Sequence, residues 1–138
     1  MKTVFVDTSY WIALLYPLDP LHERAGTISR TQGTMKYVTT EMILAEMLNY
    51  FSAKHRKLQS AAGEFVQDIL EQENVTVEQQ SRGLFLQALD KYRRFADKHW
   101  SLTDCASFAI MEERGLTEAL THDRHFEQGG FTALLRDE

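Results

Sequence analysis

Four acidic residues fall where short apolar segments end or where the next helical pattern begins. They are Asp7 after Thr3-Val-Phe-Val6, Glu46 closing Thr39-Thr-Glu-Met-Ile-Leu-Ala-Glu46, Asp104 in Ser101-Leu-Thr-Asp104, and Asp123 in Ala119-Leu-Thr-His-Asp123. In an open α/β sheet such positions face one crevice, so the chain offers a cluster of carboxylates with little basic character nearby in sequence to neutralise it. Such a cluster needs a cation.

Each acid also has an ordinary structural role open to it. Asp7 precedes Thr8-Ser-Tyr-Trp-Ile-Ala-Leu-Leu15 and could cap that helix. Ser101-Leu-Thr-Asp104 has the form of a capping box before Cys105-Ala-Ser-Phe-Ala-Ile110. Asp123 could open a turn before His125-Phe-Glu-Gln-Gly-Gly130. Glu46 has the weakest such alternative, because Leu44, Ala45, Met47 and Leu48 flank it and an unpaired charge amid apolar groups is expensive. Its rival is Glu41. Five residues of helix turn through about 140°, so the two cannot both point into one site, and the apolar flanks favour Glu46.

The elements that must position these residues alternate. Strands are expected at about residues 2 to 6, 36 to 39, 74 to 77, 118 to 121 and 131 to 135, with helices filling most of the rest. Residues 42 to 56 carry Ile43, Met47, Leu48 and Phe51 at helical spacing, and residues 82 to 97 carry Phe85, Leu89, Tyr92 and Ala96 on one face. Pro17 and Pro20 bracket a turn after the first helix. This alternation predicts an α/β fold with a central parallel β-sheet flanked by α-helices.

The 138 residues fit one domain, 1–138, and 43% hydrophobic with 25% charged residues is the composition of an ordinary globular protein. No apolar run approaches a membrane span or a signal peptide, so a cytoplasmic protein is expected. Cys105, the single cysteine, sits among apolar residues and reads as core. A net charge of -5 argues against unaided nucleic-acid binding and leaves binding through metal ions or local basic patches. The run Lys54-His-Arg-Lys57 and the residues Arg93, Arg94 and Lys98 read as solvated helix faces, or as guides for RNA phosphates if they flank the acids. Tyr10, Trp11, Phe51, Tyr92 and Phe95 read as core or as a dimer interface.

Val4-Phe-Val-Asp-Thr-Ser9, Ile43-Leu-Ala-Glu46, Ser101-Leu-Thr-Asp104, and Leu120-Thr-His-Asp-Arg-His-Phe126 followed by Gly129-Gly-Phe131 together resemble the PIN-domain nucleases. The chain is most similar to the small stand-alone ribonuclease toxins of the VapC type, over essentially its whole length. The resemblance implies a PIN-like three-layer fold and a metal site formed by Asp7, Glu46, Asp104 and Asp123, assisted by the Ser9 hydroxyl. It also implies an RNA substrate, a homodimer and a cognate antitoxin. His122 beside Asp123 is a mild departure.

The chemistry agrees with the residue types, because hard Mg²⁺ or Mn²⁺ ions prefer carboxylate and water oxygens and promote phosphodiester hydrolysis. Asp7 and Asp104 are expected as direct ligands, with Glu46 and Asp123 acting partly through bound waters. Other chemistries compete poorly. His122 and His125 beside Asp123 do not make up a three-ligand catalytic zinc site, no Gly-x-Ser-x-Gly turn supports a serine hydrolase, and Ser9 stands where a haloacid-dehalogenase-like enzyme carries its second Asp. The expected function is thus a Mg²⁺- or Mn²⁺-dependent endoribonuclease, the toxin of a toxin–antitoxin pair. A non-catalytic PIN-like module that binds RNA or protein is the alternative, and a DNA nuclease a third reading.

Overall fold

The computed structural model describes residues 1–31 and 33–136. Five strands, β1 (Lys2–Val6), β2 (Met35–Thr40), β3 (Val75–Glu78), β4 (Glu118–Leu120) and β5 (Thr132–Ala133), form one parallel sheet in the order β3-β2-β1-β4-β5. The helices are α1 (Thr8–Leu15), α2 (His22–Thr31), α3 (Glu41–Ser52), α4 (Arg56–Glu71), α5 (Arg82–Arg94), α6 (Leu102–Arg114) and the short α7 (Arg124–Gln128). The expected α/β architecture is therefore present. The last strand is shorter than residues 131 to 135, because a turn begins at Leu134.

The strand order creates the site. Chain growth runs outward from β1 through β2 to β3, then returns to the other side of β1 for β4 and β5, so the topological switch lies between β1 and β4. There the two connections leave in opposite directions and open a crevice beyond the strand ends. β1 and β4 are in register through Phe5 with Ala119 and Val6 with Leu120, and the Asp7 amide continues the ladder to the Leu120 carbonyl at 3.1 Å. Asp7 and the segment 121–123 thus emerge side by side.

Val4, Phe5 and Val6 are completely buried, as a central parallel strand with both faces covered requires. In α3, Ile43, Met47 and Phe51 face the core as their spacing predicts, and Thr40 caps the helix by accepting from the Ile43 amide at 3.1 Å. The expected face of α5 is corrected. Leu84, Ala88, Lys91 and Phe95 have the same i, i+4, i+7, i+11 spacing one residue earlier, and Leu84 and Ala88 are the buried pair where α5 packs on α6. Phe85, Leu89, Tyr92 and Ala96 are exposed. Two stripes about 100° apart share this helix, the buried one interrupted by Lys91, which pairs with Glu112 at 3.0 Å, and periodicity alone does not choose between them.

The rings at the other end of the sheet hold α6 and α7 together. Phe108 meets Trp100 at 4.8 Å and 82°, Phe126 at 4.9 Å and 86°, and Phe131 at 5.4 Å. Gly129 is required by this packing, since a Cβ there would stand 3.2 Å from the Phe131 ring and 3.4 Å from that of Phe108. Cys105 is buried as expected. Phe108→Ala should therefore lower unfolding free energy by about 3–5 kcal/mol in urea titrations. A loss below about 1 kcal/mol would mean that this cluster does not hold the acid-bearing helices in place.

Candidate active site

Asp7, Glu46, Asp104 and Asp123 come from four different parts of the chain and line one cleft of about 970 Å³, together with Ser9 and His125. No Lys or Arg is among its described lining residues. Glu41 lies elsewhere, accepting from the Gln80 amide at 2.6 Å. His122 is exposed, and its amide donates to Ser9 Oγ at 3.1 Å.

Asp7 occupies the N-cap position of α1, yet its side chain makes no cap hydrogen bond. Instead Asp7 Oδ2 accepts from Thr121 Oγ1 at 2.7 Å, across the switch point. Thr121 is completely buried, and its hydroxyl also accepts from the Asp123 amide at 3.0 Å, with Ser9 Oγ at 3.5 Å. One hydroxyl thereby fixes the rotamer of Asp7 and the backbone path to Asp123. Ser9 fastens the same loop from the other side.

Asp104 does cap its helix. Ser101 Oγ accepts from the Asp104 amide at 3.0 Å and Asp104 Oδ2 accepts from the Ser101 amide at 3.1 Å, a complete capping box. The same carboxylate faces the cleft, where His125 Nδ1 lies 3.0 Å from Asp104 Oδ2 and 3.4 Å from Asp123 Oδ1. Capping and participation in the cluster coexist. Asp123 similarly caps α7, accepting from the His125 amide at 2.9 Å. Glu46 is exposed at the cleft margin, where Thr8 Oγ1 donates to its Oε1 at 2.6 Å. The desolvation argued from its apolar neighbours therefore does not operate, because Ala45 is exposed too and the buried face of α3 lies elsewhere.

Two further residues belong to this arrangement. The sequence offers His125 only as a zinc ligand with His122, a reading set aside above, and does not single out Thr121, two residues before Asp123. Thr121 depends on the approach of the loop after β4 to the end of β1, and His125 on the approach of α7 to the start of α6. One donor atom each from Asp104, Asp123 and His125 lies within 4.8 Å of the others, a spacing that can hold a metal ion.

Crowding and burial set the electrostatics. Burial pushes the Asp7 carboxyl up to about 7, with Asp104 and Glu46 adding to the rise and the Thr121 hydroxyl and Thr8 amide opposing it. Burial also raises Asp104, with Asp123 adding to the rise and the Ser101 amide and His125 opposing it. These carboxylates are poorly compensated by the protein alone.

The sign for stability follows from Asp7. Below its ordinary value of 3.8 it is protonated folded or unfolded, between there and about 7 only the folded form keeps the proton, and above about 7 neither does. Its contribution to stability therefore falls as pH rises through that window and stays unfavourable above it. In EDTA, Asp7→Asn should be more stable than the parent by a few kcal/mol at pH 8, and the difference should vanish near pH 4. Thermal unfolding at the two pH values checks this. A variant less stable than the parent at pH 8 would contradict it.

Comparison with known proteins places this geometry. Residues 4–131 match the PIN domain family. The 23S rRNA-specific endonuclease VapC20 of Mycobacterium tuberculosis is 30% identical over 135 residues, spanning 95% of this chain and 97% of that protein. The crystal structure of M. tuberculosis VapC20, described as a Sarcin-Ricin loop cleaving toxin, superposes with a TM-score of 0.82 at 28% identity, covering 94% of this chain and 96% of that one. VapBC2 from Rickettsia felis, solved bound to a DNA fragment from its promoter, shares the fold at a TM-score of 0.63 and 9% identity, covering 96% and 97%. With a family match over nearly its whole length and the acids gathered at the switch point of its sheet, the chain belongs to the PIN-domain family.

Proposed function

We propose that this protein is a metal-dependent endoribonuclease that hydrolyses RNA phosphodiester bonds and serves as the toxin of a type II toxin–antitoxin pair. The observation that carries this reading is the convergence of Asp7, Glu46, Asp104 and Asp123 on one cleft, in a chain similar along 95% of its length to a 23S rRNA-specific endonuclease. By that similarity an exposed loop of ribosomal RNA is the substrate to test first.

The donor set fits a hard divalent cation. Carboxylates dominate it, two of them have raised affinity for protons, and no Lys or Arg competes among the described lining residues. Asp104 and Asp123 would hold Mg²⁺ or Mn²⁺, with His125 close enough to join them, Asp7 completing the site from the end of β1 in the same cleft, and Glu46 acting through water from the cleft margin. Mn²⁺ suits an imidazole-containing set better than Mg²⁺. When bound, the ion supplies Lewis-acid charge neutralisation at the phosphodiester and activation of the attacking water.

The residues of the chain supply position. The Thr121 hydroxyl holds Asp7 in one rotamer, and Ser9 holds the loop that carries Asp123. The capping box keeps Asp104 fixed while it faces the cleft. Glu46, steadied by Thr8, stands where it would orient water entering from solvent. Preorganisation of this kind removes the cost of gathering like charges during the reaction.

The same reading includes a homodimer in the cytoplasm and an antitoxin with an Arg or Lys that pairs with the acids. Among the described residues no helix is long and apolar enough to cross a membrane.

Purified protein should cleave ribosomal RNA, including a sarcin–ricin loop hairpin, with Mg²⁺ or Mn²⁺ and not in EDTA. Asp7→Asn and Asp104→Asn should each lower kcat by roughly 100-fold or more, the scale of losing several kcal/mol of charge stabilisation. A folded, metal-bound parent that cleaves no RNA with either ion would replace this reading with that of a non-catalytic binding module.

A further inference from the structure

The basic run Lys54-His-Arg-Lys57 lies at the turn between α3 and α4, outside the acid cleft. α1 and α3 meet along a seam that joins the two regions. One end is marked by the hydrogen bond from Thr8 Oγ1 to Glu46, the other by the Tyr16 and Tyr50 rings, with centroids 6.4 Å apart. Ile12 stands one turn from both Thr8 and Tyr16 and lines the cleft, so the seam runs unbroken from the acids to the tyrosines. Glu46 and Tyr50 likewise stand one turn apart on one face of α3.

The tyrosine end is a rigid platform. Phe51 is completely buried and meets Tyr50 edge-on at 5.1 Å and 89°, and Tyr16 at 5.9 Å and 88°. Lys54 Nζ lies 4.9 Å from the Tyr50 ring centroid and 5.3 Å from that of Tyr16. Tyr50 is nevertheless 38% exposed. The Lys54 ammonium lies over the Tyr50 ring, at the end of a flexible side chain, so a base can take its place on the rigidly held ring while the ammonium turns to the phosphate of the same nucleotide. The acid cleft offers a polyanion no described Lys or Arg, so affinity for a strand has to come from its flanks.

We propose that Tyr50 and Lys54 form a subsite for the RNA strand away from the scissile bond, in which a base takes the Tyr50 face that Lys54 covers and the displaced ammonium holds the adjoining phosphate. Eight residues of helix separate Thr8 from Tyr16, a rise of ~12 Å, which sets the subsite about two nucleotides along an extended strand from the acids. This subsite rests on the endoribonuclease reading and adds the path of its substrate.

The test uses a fluorescein-labelled, mixed-sequence single-stranded RNA 12-mer, with binding followed by anisotropy in Mg²⁺ in the cleavage-silent Asp104→Asn background. Tyr50→Ala should weaken binding about 5- to 100-fold, and Tyr50→Phe should retain it, because the ring face makes the contact. Lys54→Ala should reduce the slope of log K against log salt by about 0.7, the signature of one lost phosphate contact on a single strand. In the otherwise unsubstituted enzyme both changes should raise KM and leave kcat unchanged. Parental cleavage of the 12-mer together with unaltered binding by Tyr50→Ala and Lys54→Ala would overturn the subsite and leave the nuclease reading standing. A Tyr50→Phe loss equal to that of Tyr50→Ala would overturn the stacking contact. A parent that neither binds nor cleaves RNA would overturn both readings.

Discussion

The arrangement depends on a buried carboxylate at the point in the parallel sheet where the order of the strands reverses. Asp7 follows the fully buried end of β1 and is held by the hydroxyl of Thr121, which follows β4. Leaving a charge there is costly, and burial is the main reason its affinity for a proton rises. The fold tolerates this cost because the two strands that meet at the switch point are fixed by their register. A site whose charges the protein itself does not compensate is prepared for a cation from solvent.

The other acids are gathered by ordinary helix chemistry put to a second use. Asp104 and Asp123 each cap the helix on which they stand and also face the cleft, so the bonds that stop these helices from fraying also aim their carboxylates. His125 links the two caps. Glu46 differs from them, since a threonine on the neighbouring helix restrains it at the solvent edge. The cleft thus grades from a desolvated interior at Asp7 to an exposed margin at Glu46, a polarity suited to a charged group deep in the site and water entering at the rim.

Much of this was legible in sequence where a local pattern decides the outcome. The strand ending in Val6, the capping box at Ser101 and the spacing of Ile43, Met47 and Phe51 are local signals, and the fold follows them. Two kinds of information were not local. α5 carries two stripes of equal spacing, and only its packing on α6 decides that Leu84 and Ala88 are buried while Leu89, Tyr92 and Ala96 line the cleft. Thr121 meets Asp7 only when β4 is laid beside β1, and His125 meets Asp104 only when α7 packs against α6, so their types alone did not reveal them. For Glu46 the sequence pointed to burial by apolar neighbours, but the helix turns that side chain outward.

If a divalent ion relieves the cost of ionising Asp7, its binding must displace the proton that Asp7 holds. Calorimetric titration of Mn²⁺ in buffers of different ionisation enthalpy measures that proton directly. With the Asp7 carboxyl pushed up to about 7, the parent should release about one proton per ion more than Asp7→Asn does at pH 6, and this difference should be almost gone at pH 8.5. A binding enthalpy at pH 6 that is the same in every buffer, or proton release as large in Asp7→Asn as in the parent, would rule out Asp7 as the group the ion relieves.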